Sequence, residues 1–298
     1  MIDNKTILVL GATGMLGSMV YTYLKKQTSL NVTGSARITT GELIGFDARK
    51  FTLDNEHNVD FNQYEYILNC IGIIKPFCKD DDPVGIKDAI IINALFPKVL
   101  SESVGPQTKI IQIATDCVYS GEHGPYSEDS AHDAHDVYGK TKSLGEIHGS
   151  NFLNIRCSII GPEKKNFVSL LEWFLNQEPN ASLKGFTHHR WNGVTTLQFA
   201  KLLEYIVKDN HFDKLLNTAS VHHFIPNSTV DKYELLNIFQ RVFATNYIIH
   251  AVDDIGPPVR RDLDSNLQAL DMIFPKMEME HAIKELENYI SKENLQLE

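Results

Sequence analysis

Apolar positions along the chain follow two different textures. Up to residue 161, short unbroken runs of aliphatic and β-branched residues alternate with stretches whose apolar positions recur every three or four residues. The unbroken runs are Thr6–Gly11, Asn31–Ala36, Tyr66–Gly72, Lys109–Thr115 and Phe152–Ile160, and a short further strand precedes Asp47 in IGFDA. Helical periodicity lies between them, around Ser18–Gln27, Ile86–Ser103 and Val137–His148. A strand that is apolar at every position is covered on both faces, which marks a parallel sheet. Strand–helix alternation of this kind predicts an α/β fold with a doubly wound parallel sheet.

Beyond Gly161-Pro162 the pattern loosens. A helix over Phe167–Asn176 leads into the loop KGFTHHRWNG, then a helix over Thr196–Lys208 and a short strand around Leu215–Ala219. Ser228, with Asp231 three residues on, predicts a helix start that buries Leu235, Leu236, Phe239, Val242 and Phe243 on one face. A strand in NYIIHAV, a DDIGPP turn and a last helix with Met279, Ile283, Leu286 and Ile290 complete the chain. These strands are too few for a second large sheet. The expected division is a dinucleotide-binding domain over 1–161 and a smaller, discontinuous α+β substrate lobe over 162–298. The segment 192–220 is expected to pack back on the first domain.

Composition narrows the function classes. The 298 residues are 43% apolar and 22% charged, ordinary for a globular protein, and carry a formal net charge of −10. No basic stripe is visible, which argues against nucleic acid, so any phosphate must be held by a few local donors. Cys70, Cys78, Cys117 and Cys157 form no CxxC pair, and most sit in apolar surroundings. The chain starts with no leader-like pattern, and no apolar run approaches the roughly 20 residues that span a bilayer. A cytoplasmic protein without membrane contact is expected.

GATGMLG follows the first strand and opens a helix, the position of a phosphate-binding turn in a Rossmann fold. Gly11, Gly14 and Gly17 let the backbone bend and approach a pyrophosphate, while Thr13, Met15 and Leu16 belong to the turn and first amides that face it. Where an acid would select NAD, the second strand ends in GSAR, so Ser35 and Arg37 favour the 2′-phosphate of NADP(H), with NAD(H) as second choice. Asp47 is a candidate adenine contact. Cys70, Ile71 and Gly72 would let the fourth strand's end pass under the cofactor.

Tyr138 and Lys142 lie four residues apart on a helix that follows the fifth strand. The spacing alone decides little, because Tyr21 and Lys25 repeat it. Position separates them: Thr115 ends the fifth strand at the carboxyl edge of the sheet, where ligands of such folds bind. A phenol with a reference pKa near 10 needs its anion stabilised to exchange protons at neutral pH. Lys142 and an oxidised nicotinamide would do this, and Thr115 would polarise a substrate carbonyl. Thr115, Tyr138 and Lys142 are the candidate catalytic set, with Tyr138 and Lys142 also touching cofactor.

GATGMLG, ATDCVYSG, GPYSED and VYGKTKSLGE together resemble the extended short-chain dehydrogenase/reductase family, and within it the dTDP-4-dehydrorhamnose reductase-like branch. Thr115, Asp116, Val118, Tyr119 and Gly121 match one block of that branch, Pro125, Tyr126 and Glu128 a second, and Tyr138, Gly139, Lys142, Gly145 and Glu146 a third. The resemblance covers about the first 160 residues and implies reduction of the 4-keto group of a UDP- or dTDP-linked 4-keto-6-deoxyhexose, in deoxysugar and cell-surface glycan synthesis. It also implies that Asn93 supports the lysine. Cys117 stands where rhamnose enzymes carry tyrosine and dehydratases glutamate, so the sugar contact there is open and dehydration is disfavoured. A nucleotide-sugar epimerase uses the same set, and a non-catalytic NADP-binding regulator, like the regulatory subunit of methionine adenosyltransferase, resembles this branch too.

Arg190, Arg260 and Arg261 are the candidate cations for the sugar nucleotide's pyrophosphate. HDAHD (His132–Asp136) reads as solvated loop and not as a metal site, and none is expected. His188–His189 and His222–His223 read as exposed loop histidines with the sugar pocket as the alternative. A homodimer is an open expectation. Base, sugar and product epimer are not readable here.

Overall fold

The computed structural model describes residues 5–163, 167–253 and 255–293; the parts of the expected segments at 1–4, 164–166, Asp254 of the DDIGPP turn and 294–298 lie outside the described residues. Elements run in the order β1 (Thr6–Leu10), α1 (Met15–Gln27), β2 (Asn31–Ala36), β3 (Ile44–Gly45), α2 (Ala48–Asp54), β4 (Tyr66–Asn69), α3 (Pro83–Ala89), α4 (Phe96–Glu102), β5 (Lys109–Thr115), α5 (Val137–Leu144) and β6 (Phe152–Cys157). Then come β7 (Ile159–Ile160), α6 (Leu170–Leu175), β8 (Ser182–Phe186), β9 (His189–Trp191), β10 (Val194–Thr195), α7 (Thr196–Lys208), α8 (Phe212–Thr218), β11 (Val221–His223), β12 (Val230–Asp231), α9 (Lys232–Val242), β13 (Ile248–Val252), β14 (Val259–Arg260) and α10 (Met279–Glu293).

The central sheet has seven strands in the order β11-β6-β5-β4-β1-β2-β3, and every pairing in it is parallel. The order reverses at β1, which makes the gap between β1 and β4 the switch point where such sheets bind ligands. The unbroken apolar runs have a simple cause. Ile7 and Val9 join one core with α1 and α7, while Leu8 and Leu10 join another with α2 and α4. A period of two thus splits each strand between two buried faces. The first core continues through Leu235, Phe239, Ile283 and Leu286, so α9 and α10 share it.

Three expectations are corrected. Leu215–Ala219 is not a strand: Phe212 and Leu215 bury one side of α8, and the strand is Val221–His223, which pairs with β6. Ser228 does not start a helix; its Oγ accepts from Met279 N at 3.1 Å, whereas Asp231 caps α9 by accepting from Glu234 N at 2.7 Å. The helix expected to reach His148 stops at Leu144, and Gly145 packs against the segment that carries Asn93, where a Cβ would lie 1.9 Å from Asn93 O. Between α3 and α4 the helix widens into a π turn, Ile90–Leu95, which carries Asn93 inward. No helix among the described residues is long and apolar enough to cross a membrane.

Candidate active site

The glycine turn is built for close approach. Gly11 has φ +80°, and a Cβ on Gly17 would lie 2.2 Å from Gly11 O. Gly14 is the N-cap of α1 and brings no side-chain cap, so the first amides of a 13-residue helix stay available to an anion. Thr13 and Met15 are half-buried at the turn, while Leu16 is buried beneath it. These features fit a dinucleotide pyrophosphate. Ser35 is fully buried, and its Oγ accepts from Gly11 N at 3.2 Å, so it braces the turn and does not face a 2′-phosphate. Arg37 is exposed at the end of β2. Asp47 caps α2 through Arg49 N at 2.9 Å and Lys50 N at 3.4 Å, which commits one carboxylate oxygen to the helix.

At the end of β4, Asn69 Nδ2 donates to Gln112 at 2.6 Å, and its Oδ1 accepts from Ile71 N at 3.1 Å, fixing the path through Cys70 and Gly72. Asn93 Oδ1 accepts from Ile73 N at 2.8 Å; its Nδ2 donates to Ile73 O at 2.9 Å and to Thr141 Oγ1 at 3.3 Å. Asn93 thus joins the strand-end loop to α5 through Thr141, and its contacts do not include Lys142.

Asp136 caps α5 by accepting from Gly139 N at 2.8 Å, and Asp80 accepts from Val137 N at 2.8 Å. Those caps set Tyr138 in the first turn of α5. Burial raises the pKa of its phenol, with Cys117 adding to the rise and the Thr115 hydroxyl opposing it. Lys142 is 6% exposed and donates to Ile113 O at 2.8 Å. Burial pulls its pKa down to about 8. In the free protein one donor of the ammonium is given to β5, and burial is the first cause of the shift at both groups. The structure does bring Thr115, Tyr138 and Lys142 to one place at the carboxyl edge.

Asp116 is buried and accepts from Thr115 Oγ1 at 3.1 Å, with burial raising its pKa and Arg261 and Lys232 opposing that rise. Cys117 N donates to Thr115 Oγ1 at 3.2 Å, and burial pushes its thiol up to about 12, so it is an inert group beside Thr115. The arginines separate. Arg190 is exposed and pairs with Asp262 at 3.3 Å, and Arg260 is exposed. Arg261 turns inward, donating from Nε to Tyr119 O at 3.0 Å and from Nη2 to Ser120 O at 2.9 Å. Lys232 was missed by sequence reasoning. One signal could have found it: it follows a helix cap directly, where its side chain lies back over the preceding strand.

Beneath this edge lies a buried network. Arg156 donates from Nε to Glu146 Oε1 at 2.8 Å, from Nη2 to Glu146 Oε2 at 2.7 Å and from Nη1 to Tyr119 OH at 2.6 Å. His132 Nε2 accepts from Arg156 Nη2 at 2.6 Å, so this member of HDAHD is not solvated loop. His222 and His223 are 1% and 2% exposed in β11, which corrects their reading as exposed. His188 is half-buried and His189 stacks on Phe186 at 4.7 Å.

Sheet order, glycine turn and strand-edge residues together define a doubly wound α/β protein of the Rossmann class, with its ligand cleft at the carboxyl edge of β1, β4 and β5. The chain belongs to the family described as the RmlD substrate binding domain, whose model matches residues 5–286. It is 30% identical over 152 residues to the methionine adenosyltransferase 2 subunit beta of Xenopus tropicalis, covering 49% of this chain and 42% of that protein. The chain thus spans under half the length of that curated relative. The dTDP-4-dehydrorhamnose reductase of Bacillus anthracis, in complex with NADP, superposes with a TM-score of 0.72 at 15% identity over 97% of this chain and 98% of that one. The dTDP-glucose 4,6-dehydratase of the same organism, with NAD, gives 0.69 at 14% identity over 99% of this chain and 100% of that one. Reductase and dehydratase match almost equally, so the likeness shows the fold and does not select the reaction.

Proposed function

We propose that the protein is an NADPH-dependent reductase of the 4-keto group of a nucleoside-diphosphate (UDP or dTDP) 4-keto-6-deoxyhexose, acting in deoxysugar synthesis in the cytoplasm. The carrying observation is the half-buried Tyr138 of α5 and the buried Lys142 one turn on, set beside Thr115 at the carboxyl end of β5. Burial keeps the phenol protonated at neutral pH, which suits a donor to a carbonyl oxygen as that oxygen gains charge. Thr115 holds the same oxygen by a second hydrogen bond. Lys142, poised near 8, returns the proton to Tyr138. When bound, the nicotinamide supplies hydride to the carbonyl carbon. Residues 162–298 form the lobe that presents the sugar nucleotide, with 192–220 packed on the cofactor domain. Inert Cys117 offers no acid for water elimination, which supports reduction over dehydration.

The test is to offer purified protein a panel of UDP- and dTDP-linked 4-keto sugars with NADPH or NADH. Stoichiometric loss of NADPH absorbance is expected with at least one sugar. Product without net cofactor loss would make the protein an epimerase. A second reading, an NADP-binding regulatory subunit, is favoured by the likeness to the methionine adenosyltransferase beta subunit. It would be supported by tight NADP binding with no turnover of any sugar.

A further inference from the structure

Lys232 is the first residue of α9, and its Nζ sits 4.7 Å above the centroid of the Trp191 ring. The placement follows from the strands beneath it. β12 pairs antiparallel with β9, with Val230 opposite Trp191, so the residue after β12 returns over that ring. Trp191 is itself fixed at the carboxyl edge: it is 4% exposed, and a Cβ on Gly193 would lie 2.2 Å from its Cζ2 and 2.5 Å from Ser158 O. Ser158 follows Cys157, which pairs in register with Thr115. Lys232 lies close enough to Asp116, Cys117 and Arg261 to feel their charges, and Asp116 and Cys117 directly follow Thr115.

We infer that Lys232 is a substrate-binding residue that receives the diphosphate of the nucleotide sugar, a role the sequence pattern had suggested for Arg190, Arg260 and Arg261. This deepens the reading above and rests on it. Lys232 and Arg261 both act on the buried carboxylate of Asp116, and Arg261 also acts on Asp136, so cations gather here in a chain of net charge −10. Arg261 has already given donors to two carbonyls. Among the described residues, Lys232 makes no ion pair within 4.0 Å and no hydrogen bond. Its ammonium is partly withdrawn from water, and burial draws its pKa down to about 8. A ring face returns only part of that loss. An ammonium left in this state costs the free protein stability and awaits an anion.

The experiment saturates the protein with NADP+ and titrates UDP, dTDP and inorganic pyrophosphate calorimetrically, in wild type, Lys232→Met and Lys232→Arg. Lys232→Met should bind UDP or dTDP about tenfold or more weakly, while Lys232→Arg stays within a few fold of wild type. Affinity for NADP+ should not move. In the ligand-free protein, Lys232→Met should raise the melting temperature, since it removes an uncompensated cation. Equal diphosphate binding by Lys232→Met overturns the assignment and leaves the reductase reading standing. A lowered melting temperature in that variant overturns it too, because the pair with Trp191 would then be a structural brace. If the wild type binds neither nucleotide, the nucleotide-sugar reading itself fails.

Discussion

The chain holds two tyrosine–lysine pairs at the same helical spacing, and they behave as opposites. Lys25 Nζ donates directly to Tyr21 OH at 3.0 Å, lies 5.3 Å from the ring centroid and also contacts Glu42 on the surface of α1. That hydrogen bond with Glu42, then the one with Tyr21, raise its pKa. Lys142 points instead at Ile113 O, and burial drives its pKa down while driving that of Tyr138 up. The pair that touches is the pair with nothing to do. Helical spacing fixes proximity, but water decides chemistry: an exposed ammonium is held charged, whereas a desolvated one comes within reach of neutral pH.

The largest expected effect uses that contrast. Tyr138→Phe should lower turnover about 10²- to 10⁴-fold while NADPH still binds, and Tyr21→Phe should leave kcat within error. Equal effects of the two substitutions would mean that the phenol at 138 transfers no proton. Next comes Lys142→Met, expected to lower kcat about 10²-fold, set against Lys25→Met, expected to change neither turnover nor melting temperature. The sign of the pH effect at Lys142 is also fixed. Folding lowers the proton affinity of Lys142, so at this group the unfolded chain binds more protons between about 8 and 10.5 and its contribution to stability climbs with pH, while the thiols of Cys70, Cys117 and Cys157, raised by burial, act in the opposite direction. Lys232 contributes a climb of the same sign. Lys142→Met should make the change in stability from pH 8 to pH 10 less favourable than in wild type, which urea titrations at the two pH values would measure.

What could be read from sequence divides along the same line. β5 was legible to the residue, because a strand largely buried on both faces leaves a mostly apolar run. The glycine turn was legible because glycine alone tolerates Gly11's backbone angle and Gly17's contact. Side-chain direction was not. Ser35 looked available to a phosphate, yet it is buried under Gly11, and nothing in GSAR tells inward from outward. Arg260 and Arg261 are adjacent, so one residue of register decides which meets the site. Lys232 owes its place to Trp191, 41 positions earlier by sequence number, through a strand pairing that local pattern does not announce. The α8 segment failed for another reason: the five residues LLNTA fit either period, and only burial of Phe212 decides for helix.

Histidine carries the contrast in its mildest form. His135 is exposed, 3.9 Å from Glu122, while His223 lies in β11 at 2% exposure. The Nδ1–H of His223 donates to Asp264 O at 2.7 Å, which leaves Nε2 as an acceptor 3.3 Å from Arg156 Nη1. Protonation would set a second N–H against that guanidinium. Burial lowers the pKa to about 4, with Arg156 adding to the drop and Glu128 and Glu146 opposing it. The folded state therefore keeps His223 neutral where the unfolded chain would take up a proton. Its contribution to stability is complete above pH 6.5 and is lost as pH falls towards about 4. His132, lowered by burial and by Arg156, acts in the same direction. For Glu128, burial pushes upward but the bonds from Ser265 and from His223 N prevail, so its contribution fades only at lower pH. Urea unfolding at pH 7 and pH 5 should show wild type losing stability, His223→Asn losing less, and His135→Asn matching wild type. A His223→Asn protein with the wild-type acid slope would place the proton uptake elsewhere in the network, with His132 the next group to replace.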